Sequence, residues 1–75
     1  MNKKMKKLCK DFDCTTPKKY YKQLTATFQN GNKADAREMY QELPNYYKQE
    51  FVKILNTLDL SQETALKLII HINKR

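Results

Sequence analysis

The sequence predicts an all-α protein, a small bundle of four to five short helices in one domain, residues 1–75. Three observations carry this. Glycine occurs once, at Gly31, and proline twice, at Pro17 and Pro44, too little turn chemistry for a many-stranded sheet. Apolar residues recur along most of the chain at the i, i+3, i+4, i+7 spacing of one helical face. Polar capping residues or prolines stand at the breaks between these runs. Hydrophobic residues make up 40% of the chain, enough for one modest core. A core of that size contributes roughly 3–5 kcal/mol net.

The first helix is expected over about residues 3–13, with Met5, Leu8, Cys9 and Phe12 on one face and Lys3, Lys4, Lys6, Lys7 and Lys10 on most of the rest. Close like charges oppose it, and no capping residue is evident at its start. Residues 1–14 therefore read as a basic amphipathic helix or arm, ordered when docked. Cys14-Thr15-Thr16-Pro17 breaks the chain. Thr16 is placed to cap the second helix, with Pro17 at the first helical position, where its missing N–H costs nothing. That helix should reach about Asn30, with Tyr20, Tyr21, Leu24, Thr27 and Phe28 inside. Gly31 follows as a stop able to take the left-handed conformation.

Asn32 is placed to cap the third helix, about residues 33–43, whose inner stripe is Ala36, Met39, Tyr40 and Leu43. Pro44 ends it by pushing Leu43 away from helical angles. The fourth helix should span about residues 45–58 on Tyr47, Phe51, Ile54, Leu55 and Leu58. Asp59-Leu60-Ser61 is the last break, with Ser61 as cap and Leu60 able to staple against Ala65. In the fifth helix, Gln62 to Asn73, Ala65, Leu66, Leu68, Ile69, Ile70 and Ile72 cover an arc of about 200°. An ordinary surface helix needs about 100°. A helix at the bundle's centre is the favoured reading, and half of an interface is the other.

The net charge is +7, and its distribution is uneven. Residues 1–22 hold eight lysines against Asp11 and Asp13, a balance of +6; the remaining residues carry +1. Such asymmetry points to an acidic partner, nucleic acid or protein. The competing reading is a solvated face that maintains solubility. Lysine outnumbers arginine 13 to 2, and asparagine, isoleucine and tyrosine are common. This fits an AT-rich coding sequence, such as a low-GC bacterium or one of its phages. No stretch approaches a membrane span, and no apolar run follows the first lysines as in an export signal. A cytoplasmic protein is expected.

No convergent catalytic set stands out, so no enzyme, no cofactor and no small-molecule substrate are expected. His71 reads as a partly buried packing residue at the polar edge of the last helix. Cys9 and Cys14 are one loose pair, short of the four ligands of a zinc site, and read as small apolar residues. An intermolecular zinc or disulfide dimer is the alternative. One glycine leaves no glycine-rich phosphate loop.

Two binding readings remain. In the first, Lys3, Lys4, Lys6, Lys7, Lys10, Lys18, Lys19 and Lys22 contact nucleic-acid backbone. Lys18, Lys22, Thr25 and Gln29 share an acid-free side of the second helix, so this contact would be sequence-independent and salt-sensitive. Residues 58–61 faintly resemble a helix-turn-helix joint, but only Gln62, Lys67 and Lys74 could read bases from the helix that follows. Tyr46 is the tyrosine expected outside the core. In the second reading the chain is an inhibitor or adaptor that covers an acidic or apolar surface of a protein. Tyr46, Leu66 and Ile70 are then candidate interface residues, with a homodimer as a variant. Membrane-surface contact by the first helix is a weaker third option, because its apolar face is short.

Overall fold

The computed structural model describes residues 2–58 and 60–73, without the side chain of Asn56. Five α-helices follow in order: α1 (Lys3–Asp11), α2 (Pro17–Gln29), α3 (Lys33–Gln41), α4 (Asn45–Ile54) and α5 (Gln62–Ile72). A 3₁₀ turn, Leu55–Thr57, continues α4. Among the described residues there is no strand. The Cα radius of gyration, 11.4 Å, equals the roughly 11 Å of a compact chain this long, so α1 is packed rather than an extended arm.

The helix starts differ from expectation at two of four caps. Thr16 and Ser61 accept from the backbone N–H three residues on, Lys19 and Thr64, as their positions predict. Asn2 does the same for α1, accepting from Met5 N–H at 2.8 Å. This corrects the expectation of an uncapped first helix. Asn32 makes no side-chain cap bond to α3. Pro44 serves twice: it stops α3, and its carbonyl accepts from the N–H groups of Tyr47 and Lys48 to open α4.

Two helix ends share one geometry. After α1, Asp13 takes a left-handed φ of 55°, Asp13 N–H donates to Lys10 and Cys14 N–H donates to Cys9. After α2, Gly31 (φ 92°) and Asn32 bond Phe28 and Thr27 in the same way. Both are Schellman ends, which satisfy the last carbonyls of a helix. Asp13 thus ends α1 earlier than residue 13. A left-handed position suits glycine better than an L side chain, so Asp13→Gly should gain about 1 kcal/mol or less. Thermal melting of the variant checks this; a lower midpoint would contradict the assignment.

At the centre of the bundle lies α2, not α5. It packs against α1, α3 and α5, and reaches α4 through Tyr21. Adjacent residues on a helix point about 100° apart, so Tyr20 and Tyr21, both fully buried, serve different neighbours. Tyr20 O–H donates to the Met39 carbonyl of α3 at 2.8 Å, and its ring meets the edge of Phe12. Tyr21 O–H donates to Glu50 Oε1 of α4 at 3.0 Å, with the Tyr47 carbonyl at 3.3 Å. Its ring packs on Phe51, which Tyr40 also meets. Each hydroxyl lets a ring be buried without leaving an unpaired polar atom.

Burial pushes the pKa of both tyrosines well above the usual 10.0. Nearby Glu42 adds to this for Tyr20, and the Glu50 hydrogen bond for Tyr21. A tyrosine that stays protonated in the fold contributes stability that is whole below the unfolded pKa and is lost as pH rises toward the folded one. Stability should therefore fall above about pH 10, with a limiting slope near 1.4 kcal/mol per pH unit for each such tyrosine. Chemical denaturation across alkaline pH checks it: Tyr20→Phe and Tyr21→Phe should each flatten the slope.

The central place expected for α5 is not observed. Ala65, Leu68 and Ile72 are buried, and Ile69 is half-buried against the core. Leu66 and Ile70 are 56% and 66% exposed, so α5 lies on the rim with part of its apolar arc facing outward. His71 ties its last turn to the start of α3. The Lys33 carbonyl, which can only accept, lies 2.8 Å from His71 Nε2, so that nitrogen carries the proton. The His71 ring also packs near Phe28. No helix among the described residues is long and apolar enough to cross a membrane.

Candidate nucleic-acid interface

α1 has two stripes at the same spacing. Met5, Leu8 and Cys9 are buried and Phe12, its C-cap, is partly exposed; together they form the i, i+3, i+4, i+7 face that packs on the bundle. Lys3, Lys6, Lys7 and Lys10 repeat that spacing two residues out of phase and so face away from it. All four are exposed, as is Lys4 at the margin. Over seven residues the stripe is about 10 Å long, the axial rise of roughly three base-pair steps.

The second cluster stands at the start of α2. Lys18, Lys19 and Lys22 are exposed. The turn between the helices is held by Gln23, whose Nε2 donates to the Phe12 carbonyl at 2.7 Å. The Gln23 contribution was not legible in the sequence, because glutamine spacing carries no signal for a long-range bond. Thr25 was expected on the lysine side of α2. It is 5% exposed instead, and its hydroxyl donates to the Lys22 carbonyl at 2.8 Å. That back-bond lets the short polar side chain be buried, which narrows the basic side of α2 to Lys18, Lys22 and Gln29.

On the surface of α5, Lys67 pairs with Glu63 at 3.1 Å. None of the eight early lysines takes part in such a pair. Among the described residues, therefore, no ion pair neutralises their charge. Lys67, a candidate base reader, is already paired, and Gln62 is exposed. Lys74 and Asp59 of the suggested joint lie outside the described residues.

Asp11 and Asp13 are exposed at and just after the end of α1, and three other acids gather away from it. Asp35, Glu38 and Glu42 line one concavity of about 340 Å³ with Phe12, Tyr20 and Met39, between α2 and α3. Of the tyrosines, Tyr20, Tyr21 and Tyr47 are buried and Tyr40 half-buried. Tyr46 is 67% exposed, with its ring set edge-on to Tyr47 at 5.0 Å. One exposed tyrosine is no platform for a run of stacked bases.

Cys9 and Cys14 are free thiols, both buried, and burial is the main cause that raises their pKa. No three metal-ligating side chains converge among the described residues. Comparison with known proteins brings no matching family model, curated protein or solved structure, so the chain's own geometry carries the functional argument.

Proposed function

We propose that this protein binds the sugar-phosphate backbone of nucleic acid through Lys3, Lys6, Lys7 and Lys10 of α1, with Lys4, Lys18, Lys19 and Lys22 beside them. The observation that carries the reading is the lysine stripe on α1, turned away from the core and free of ion pairs among the described residues. Exposed charge of one sign along a helix face can meet a line of phosphates without an acid to repel them. Lysine is a compact charge on a flexible stem, suited to phosphate and not to bidentate base reading. The reading is therefore one of affinity without sequence preference, and of no catalytic step.

A second reading is supported by Leu66, Ile70 and Tyr46, large apolar or aromatic side chains left exposed. In it the chain is an inhibitor or adaptor that docks on a protein, or pairs with a second copy. Affinity capture with tagged protein, with and without nuclease, followed by mass spectrometry and nucleic-acid staining, separates the two. The backbone reading expects nucleic acid to be retained and to disappear on nuclease treatment. A stoichiometric protein complex that survives nuclease, with no nucleic acid retained in its absence, would replace it with the second reading.

A further inference from the structure

We propose that Cys9 and Cys14 form a dithiol site that a low-molecular-weight disulfide converts to an intrachain disulfide, fastening the end of α1. The inference is independent of what the lysines bind. It rests on the Schellman end of α1, where Cys9 and Cys14 occupy the two positions joined by the outer hydrogen bond. Cys14 N–H donates to the Cys9 carbonyl at 2.7 Å. Standard backbone dimensions on either side of that bond hold the two Cα atoms within about 6.6 Å. Disulfides accept Cα separations of roughly 4.4–6.8 Å. Side chains at these two positions frequently meet in this motif, and here the two thiols are close enough to interact. The spacing of four intervening residues, which disfavours a redox pair in an extended chain, is the spacing this helix end brings together.

Access favours one order of events. Cys14 is 9% exposed and Cys9 2%. Gln23 Nε2 donates to Cys14 Sγ at 3.4 Å and the Cys14 thiol donates to the Phe12 carbonyl at 3.5 Å, so exposure, not an easier ionisation, sets the order. The Cys14 thiolate attacks the small disulfide, whose S–S bond breaks and releases one thiolate. The Cys9 thiolate then attacks Cys14 Sγ and expels the second. Two protein thiols are oxidised, the reagent disulfide is reduced to two thiols, and the protons exchange with solvent. Because burial raises both thiol pKa values, the reaction is slow at neutral pH and quickens as pH rises.

The test is to incubate the folded full-length chain with oxidised glutathione at about pH 8.5. Intact mass, peptide mapping and thermal melting are then read. The expected product is a monomer lighter by two hydrogens, with Cys9 joined to Cys14. Its melting midpoint should be higher by about 5–10 °C and return on reduction. Cys9→Ser should stop at a glutathione adduct on Cys14 with no such rise. Stable adducts on both cysteines of the wild type, interchain dimers as the main product, or a folded chain inert where the denatured one reacts would each overturn the proposal. A midpoint lowered by closure would equally overturn it.

Discussion

Tyr21→Ala should abolish cooperative folding at room temperature, whereas Tyr21→Phe should fold with a loss of about 1–2 kcal/mol. A 75-residue domain has roughly 4–11 kcal/mol of stability, and a chain with one modest core lies at the low end. Deleting a large buried aromatic ring costs about 3–5 kcal/mol, most or all of that margin. Tyr21 carries more than its own burial. Its ring packs on Phe51, and its hydroxyl reaches Glu50 and Tyr47 of α4. The phenylalanine variant keeps the ring and leaves Glu50, which is partly exposed, able to turn to water. Tyr46→Ala is the internal control, because that ring is 67% exposed and its loss should cost less than about 0.5 kcal/mol. Urea denaturation of the three variants checks the order. Equal losses for Tyr21→Ala and Tyr46→Ala would mean that the core is not organised around α2.

Replacing Lys3, Lys6, Lys7 and Lys10 together by glutamine should weaken nucleic-acid binding by roughly 10²–10³-fold at moderate salt. Each lysine that neutralises a phosphate releases about 0.9 of a counterion on duplex DNA, so four contacts account for that factor. The effect on folding should be small or favourable. The four side chains are exposed, and like charges three and four residues apart on α1 repel one another. Relief of that repulsion distinguishes this variant from one that loses binding by unfolding. Fluorescence anisotropy with a labelled duplex, beside a melting curve, reads both properties. Unchanged affinity would remove the α1 stripe from the interface.

Most of the fold was legible because helical spacing and local caps are short-range signals. The five helices follow the five apolar runs, and Thr16 and Ser61 are one-residue signatures with one physical meaning. The differences arise where two residues compete for one role. Asp13 ends α1 because a left-handed residue can be aspartate as well as glycine, and composition points first to glycine. Asn32 is drawn into the Schellman end of α2, its N–H bonded to Thr27, and its side chain caps nothing. The place of α5 depended on which helix the others surround. Its broad apolar arc suggested the centre, but α2 presents two adjacent tyrosines to three neighbours and takes that place. Thr25 shows the same limit at the candidate site. A threonine reads as polar in a helical wheel, yet a bond to its own helix lets it be buried. The lysine stripe was legible as charge, since a helix cannot bury four ammonium groups at that spacing. The gathering of Asp35, Glu38 and Glu42 around Phe12 was not, because it depends on how α3 meets the corner after α1.

The most direct measurement is the slope of log affinity against log salt for a duplex, taken for the wild type and for the four-glutamine variant. Counterion release predicts a slope of about −4 to −7 for the wild type, shallower by about 3–4 for the variant. A wild-type slope near zero, or one that the variant leaves unchanged, would contradict a phosphate-binding face on α1.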